Sequence, residues 1–182
     1  MGWRRRRVGN FIQAMHMKRF LSFVCALLGL GVSPVLQAQP LDYEQLILLD
    51  AESLAETGIK EAYERLLPAL RKYVDQPAPL EELIDRNAPA YAVRALGTSH
   101  EIFSPETSQE RSWANATFVL FHLVNRQLAD QSPKFYAINS GNDLGGMFLT
   151  DVQYQAAKAS LKEKSDWPYL PTQDAPWYGK PH

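Results

Sequence analysis

Thr107–Ala129 reads TSQERSWANATFVLFHLVNRQLA, and a few residues on Lys134–Thr150 reads KFYAINSGNDLGGMFLT. The first stretch has the period of a helix and the second the pattern of two strands joined by turn residues. Trp113, Ala116, Thr117, Leu120, Phe121, Leu123, Val124 and Leu128 cover more than half of a helix circumference. Such a helix is expected at the centre of a core, capped by Thr107 or Ser108. Arg111, Asn115, His122 and Arg126 make its one polar stripe. In the second stretch, Phe135–Ile138 and Met147–Leu149 are strand-like runs. Between them, Asn139–Gly146 supplies the glycines and the Asn and Asp that tolerate positive φ or bond back to their own backbone.

Working back towards the N-terminus, Tyr91–Leu96 alternates as a strand ended by Gly97, and Asn87-Ala88-Pro89 forms a turn. Leu80–Asp85 is predicted as a short helix with Pro79 in its first turn. Residues 41–74 are predicted as helix throughout, divided at Thr57-Gly58, with Pro68 kinking the second half. Working forward, Thr150 or Asp151 caps a helix running to about Lys164. The tail 165–182 holds four prolines with Trp167, Tyr169, Trp177 and Tyr178, an aromatic density that predicts docking along the body. The class is α+β: a predominantly helical single domain, residues 39–182, with a small antiparallel sheet built on the 134–150 hairpin.

The N-terminus carries an address. Met17-Lys18-Arg19, an apolar run from Phe20 to Val32, and Ser33–Ala38 have the order of a secretory signal peptide, with cleavage expected after Ala38. The apolar run is short for a membrane span, and Pro34 breaks its end, so a retained anchor is the lesser alternative. Cys25 lies within the run behind Phe23-Val24, which excludes a lipoprotein signal. Arg4–Arg7 stand well upstream of the run, which makes Met15 or Met17 the expected start. The expected location is the periplasm.

Cleavage changes the charge. The whole chain has 19 Lys+Arg and 20 Asp+Glu, a net charge of −1. Six of the basic residues and none of the acidic ones fall in residues 1–38, so the domain that follows carries −7. An acidic surface disfavours nucleic acid and anionic membranes and favours a protein with a basic surface. The single cysteine belongs to the signal, so the exported domain has neither disulfides nor thiol chemistry.

Four groups of residues are candidates for chemistry. Asn139, Ser140, Gly141, Asn142, Asp143, Gly145 and Gly146 form a candidate binding loop: glycines admit close backbone approach and Asp143 adds a carboxylate, while a plain hairpin turn would use the same residues. No Gly-Lys-Ser/Thr follows it, so it is not a phosphate loop. His100 and Glu101 with Ser104 offer a base, a carboxylate and a hydroxyl, although Ser104 lacks the glycines of a nucleophile elbow and the stretch also reads as a solvated loop. His122 has Phe118, Val119 and Arg126 where a second metal ligand would stand, and no metal or other cofactor is expected. The tail aromatics suit sugar stacking, a protein interface or a strap over the core.

Together these features point to an exported, non-catalytic domain that binds another protein, such as an inhibitor or an immunity protein neutralising a secreted toxin. The alternatives are an envelope hydrolase using His100, His122 and Asp143, which requires those side chains to converge, and a structural or adaptor protein of the envelope.

Overall fold

The computed structural model describes residues 41–85, 87–130 and 133–182. The expected central helix is there as Gln109–Asn125. Ser108 caps it, its side chain accepting from the Arg111 N–H at 3.3 Å. Ala116, Val119, Leu120, Phe121, Leu123 and Val124 are buried along it. The expected hairpin is there as strands Lys134–Ile138 and Gly145–Leu149, paired antiparallel from Lys134↔Leu149 to Ile138↔Gly145. The signal-peptide expectation for 1–38 lies outside the described residues.

Numbered along the chain, the helices are α1 (Ala51–Glu56), α2 (Ile59–Leu70), α3 (Gln109–Asn125) and α4 (Asp151–Ser160). The strands are β1 (Ile47–Leu48), β2 (Glu81–Asp85), β3 (Ala90–Ala95), β4 (Thr98–Phe103), β5 (Lys134–Ile138) and β6 (Gly145–Leu149). They form two three-stranded antiparallel sheets, β1-β6-β5 and β2-β3-β4. A mixed α+β class is therefore shown, with two small antiparallel sheets where one was expected from the hairpin.

Four expectations need correction. Leu80–Asp85 is not a helix: Glu81–Asp85 is β2, in register with β3 from Glu81↔Arg94 to Asp85↔Ala90. Six residues are too few to nucleate a helix alone, and the turn at 87–89 folds them against a strand that satisfies their backbone. His100 and Glu101 lie on β4, not in a loop. Leu96 (φ 53°) and Gly97 (φ 76°) form a two-residue turn with both φ positive, which sends the chain straight back along β3. Residues 41–50 are not helix, since a 3-10 turn at Tyr43–Gln45 precedes β1, which pairs with β6. Last, α4 ends at Ser160, short of Lys164.

The division at Thr57-Gly58 stands, and the fold explains it. Gly58 takes φ 123°, and a Cβ there would overlap the Glu82 carboxylate. That carboxylate and the Tyr91 hydroxyl do the work of a cap for α2. The Ile59 N–H donates to Tyr91 Oη (2.8 Å), the Lys60 N–H to Glu82 Oε1 (3.1 Å), and Tyr91 Oη–H to Glu82 Oε1 (2.7 Å). Burial and the neighbouring carboxylate push the Tyr91 phenol well above its ordinary range. Pro68 sits near the last turn of α2, which continues to Leu70.

The β1-β6-β5 sheet is buried on both faces. Phe135, Ala137 and Phe148 meet the main core with α1, α2 and α3, while Tyr136, Ile138, Met147 and Leu149 pack with Leu41 and α4 through Ala157. Thr150 and Gln153 close a capping box at the start of α4. The tail docks as expected: Tyr169 is buried and exchanges backbone hydrogen bonds with Ala137 (2.8 and 3.0 Å), extending the sheet beyond β5.

Candidate functional site

The residues singled out between β5 and β6 separate into two groups. Gly145 and Gly146 lie within β6 and are buried. A Cβ on Gly146 would overlap the Phe135 ring, and one on Gly145 would meet Leu46 Cδ1 at 2.6 Å, so packing accounts for both glycines. Ser140, Asn142 and Asp143 are exposed on a 3-10 turn, Gly141–Asp143. Asn139 (φ 57°) and Gly141 (φ 63°) adopt the left-handed conformation that turns the chain out of β5.

Neighbours hold this turn on three sides. Leu144 is buried, and its carbonyl accepts from the Leu49 N–H (2.9 Å). The Asn142 amide donates to Glu52 of α1 (3.3 Å). The tail supplies the third side: Tyr169 Oη–H donates to the Asn139 carbonyl (2.9 Å), and Lys180 Nζ donates to Ser140 Oγ (3.1 Å). Burial pushes the Tyr169 phenol up to about 12, so it remains a donor over the physiological range.

Beyond Tyr169 the tail turns across the start of α3. Arg111 donates to the Gln173 carbonyl (2.8 Å) and its guanidinium lies over the Tyr178 ring, 5.8 Å from the centroid. The Tyr178 carbonyl accepts from the Thr172 N–H (3.0 Å), and Trp177 stacks on His182 at 4.5 Å. Between turn, tail and α3 lies a cavity of about 290 Å³. Trp113, Trp177 and Tyr178 line it with Ser140, Glu110 and Lys180. The loop and the tail, separate candidates in the sequence, thus meet in one place. Glu110 and Lys180 were missed; they stand three residues from Trp113 and two from Tyr178, a spacing with no signature of its own. Trp113 is a core residue by periodicity, yet its Nε1 is buried without a partner among the described residues, at a cost of about 1–3 kcal/mol.

The histidines form a second place. His100 on β4 and His122 on α3 approach edge to face with ring centroids 5.7 Å apart, and Phe118 stacks on His122 at 5.1 Å. Burial, with Arg126 adding to it, lowers the His100 pKa; burial, then His100 and Arg126, lower that of His122. Both rings are accordingly neutral near pH 7. Asn115 secures the junction by donating to the Ile102 carbonyl (3.2 Å).

The other members of that constellation are placed differently. His100, Glu101 and Ser104 line a broad open depression of about 820 Å³. Strand alternation turns Glu101 to the face opposite His100, and the Ser104 hydroxyl is bonded to Thr107 Oγ1 (2.9 Å). Asp143 belongs to the turn packed on α1, away from the β4–α3 junction. Among the described residues, no group of three or more His, Cys, Asp or Glu could hold a metal ion, and no helix is long and apolar enough to cross a membrane. No family model matches this chain, and neither a curated protein nor a solved structure is found to match it.

Proposed function

We propose that this chain is an exported, non-catalytic domain that captures another protein with the exposed Ser140–Asp143 turn. The observation that carries this reading is the bracing of that turn by Glu52, Tyr169 and Lys180 while its tip stays exposed. A loop fixed before binding loses little conformational entropy on contact, so its interactions are retained as affinity. Asp143 and the net charge of −7 on residues 39–182 favour a partner with a basic surface and act chiefly on its rate of association. An inhibitor or immunity protein that covers a toxin's cleft needs only such a surface.

The approach of His100 to His122 favours a second reading, an envelope hydrolase with a neutral imidazole as base. Capture experiments separate the two. The immobilised protein is expected to retain one stoichiometric partner from envelope or secreted fractions, to release it at high salt, and to lose it in Asp143→Lys. No retained partner, or retention indifferent to Asp143→Lys, would overturn capture by this turn.

A further inference from the structure

We propose that the cavity between the Ser140–Asp143 turn and the aromatic tail binds a neutral, polyhydroxylated ring such as a pyranose sugar. Its walls include the rings of Trp113, Trp177 and Tyr178. His182 stacks on one face of Trp177 and the Arg111 guanidinium lies over Tyr178, yet Trp177 is 53% exposed, so part of its ring is open to a ligand. Its polar groups are of both kinds. Glu110 can only accept hydrogen bonds and Lys180 can only donate them, while the Ser140 hydroxyl does either.

That set selects by chemistry. A carboxylate and an ammonium lining one small space oppose each other's field, so neither an anion nor a cation gains from entering. A purely apolar group would strip water from the Glu110 carboxylate and offer it no hydrogen bond in return, while Lys180 keeps only its bond to Ser140 Oγ. Sugar hydroxyls donate and accept at once and satisfy Glu110 and Lys180 together, while the C–H face of the same ring lies on an indole. A volume of about 290 Å³ sits at the lower end of ligand cavities and suits one ring of a glycan whose remainder stays in solvent. The tail is held to the body by Arg111 and Lys180, so the walls stand formed before the ligand arrives.

This inference goes beyond protein capture and fails independently of it. The purified protein is titrated with chitotetraose and with cellotetraose, following tryptophan fluorescence and ligand-observed NMR. Saturable binding of at least one sugar is expected. It should weaken about tenfold in Trp177→Ala, weaken in Glu110→Gln, and persist in Asp143→Lys. Trp177 and Glu110 are both exposed, so each variant is expected to fold, with circular dichroism as the check. No saturable response to either sugar, or affinity unchanged in both variants, would overturn the proposal. So would binding of N-acetyl-tryptophanamide in place of the sugars, which would make the cavity a socket for a partner's aromatic side chain.

Discussion

Asn125 shows how much one side chain can carry. β5 is the last strand of its sheet, bridged by the tail only at Ala137, and among the described residues Phe135 has no strand neighbour on that side. The Phe135 N–H donates to Asn125 Oδ1 (2.8 Å), and Asn125 Nδ2 donates to the carbonyls of Phe135 (2.9 Å) and Phe121 (3.0 Å). An amide at the end of α3 thus replaces one rung of a missing strand. Asn125→Ala would leave the backbone groups of a buried phenylalanine unpaired, and we expect it to destabilise the fold by about 2 kcal/mol, read as a lower urea midpoint at unchanged slope. A loss below about 0.5 kcal/mol would mean that water replaces the amide. In the sequence Asn125 was indistinguishable from other polar helix residues, because its partner lies beyond a turn. By contrast, the caps were legible to within one residue, as Thr107 or Ser108 and Thr150 or Asp151, because a cap bonds its own helix within three residues; the structure uses Ser108 and Thr150.

At the scale of elements, the junction of α3 and β4 makes stability depend on pH. Burial lowers the pKa of His100 and His122, so below about pH 6.5 the unfolded chain takes up protons that the folded one still excludes. Their effect on stability is nil well above that pH and grows unfavourable as pH falls towards the lowered values. Arg126 adds to the penalty, and Glu101 on the opposite strand face does not relieve it. We expect the urea midpoint to fall between about pH 7.5 and about pH 5, and to fall by less in a His100→Gln/His122→Gln variant. An unchanged pH slope in that variant would remove the histidines from the account. The helix α3 was legible because its period repeats over five turns. The strands β2 and β4 were not, because a strand's identity is decided by what pairs with it.

For the whole molecule, the tail joins the last residues of the chain to the site. Removing 171–182 keeps the Tyr169–Ala137 pairing but takes away Lys180 from Ser140 and Gln173 from Arg111. Amide exchange across Ser140–Asp143 is expected to rise about tenfold while β5 and β6 stay protected. Exchange unchanged at the turn would mean that Glu52 and Tyr169 hold it alone. The sequence by itself determined the features whose causes lie within a few residues of each other: the central helix with its cap narrowed to Thr107 or Ser108, the 134–150 hairpin and the break at Thr57-Gly58; it also marked the tail as docked, by its aromatic density, but not where. Only the tertiary structure decided that β2 and β4 are strands, that Tyr91 and Glu82 cap α2, that His100 meets His122, and that loop and tail enclose one cavity. Each of those depends on groups far apart in the chain, whose meeting is set by the packing of the helices and both sheets into the core and not by any local pattern.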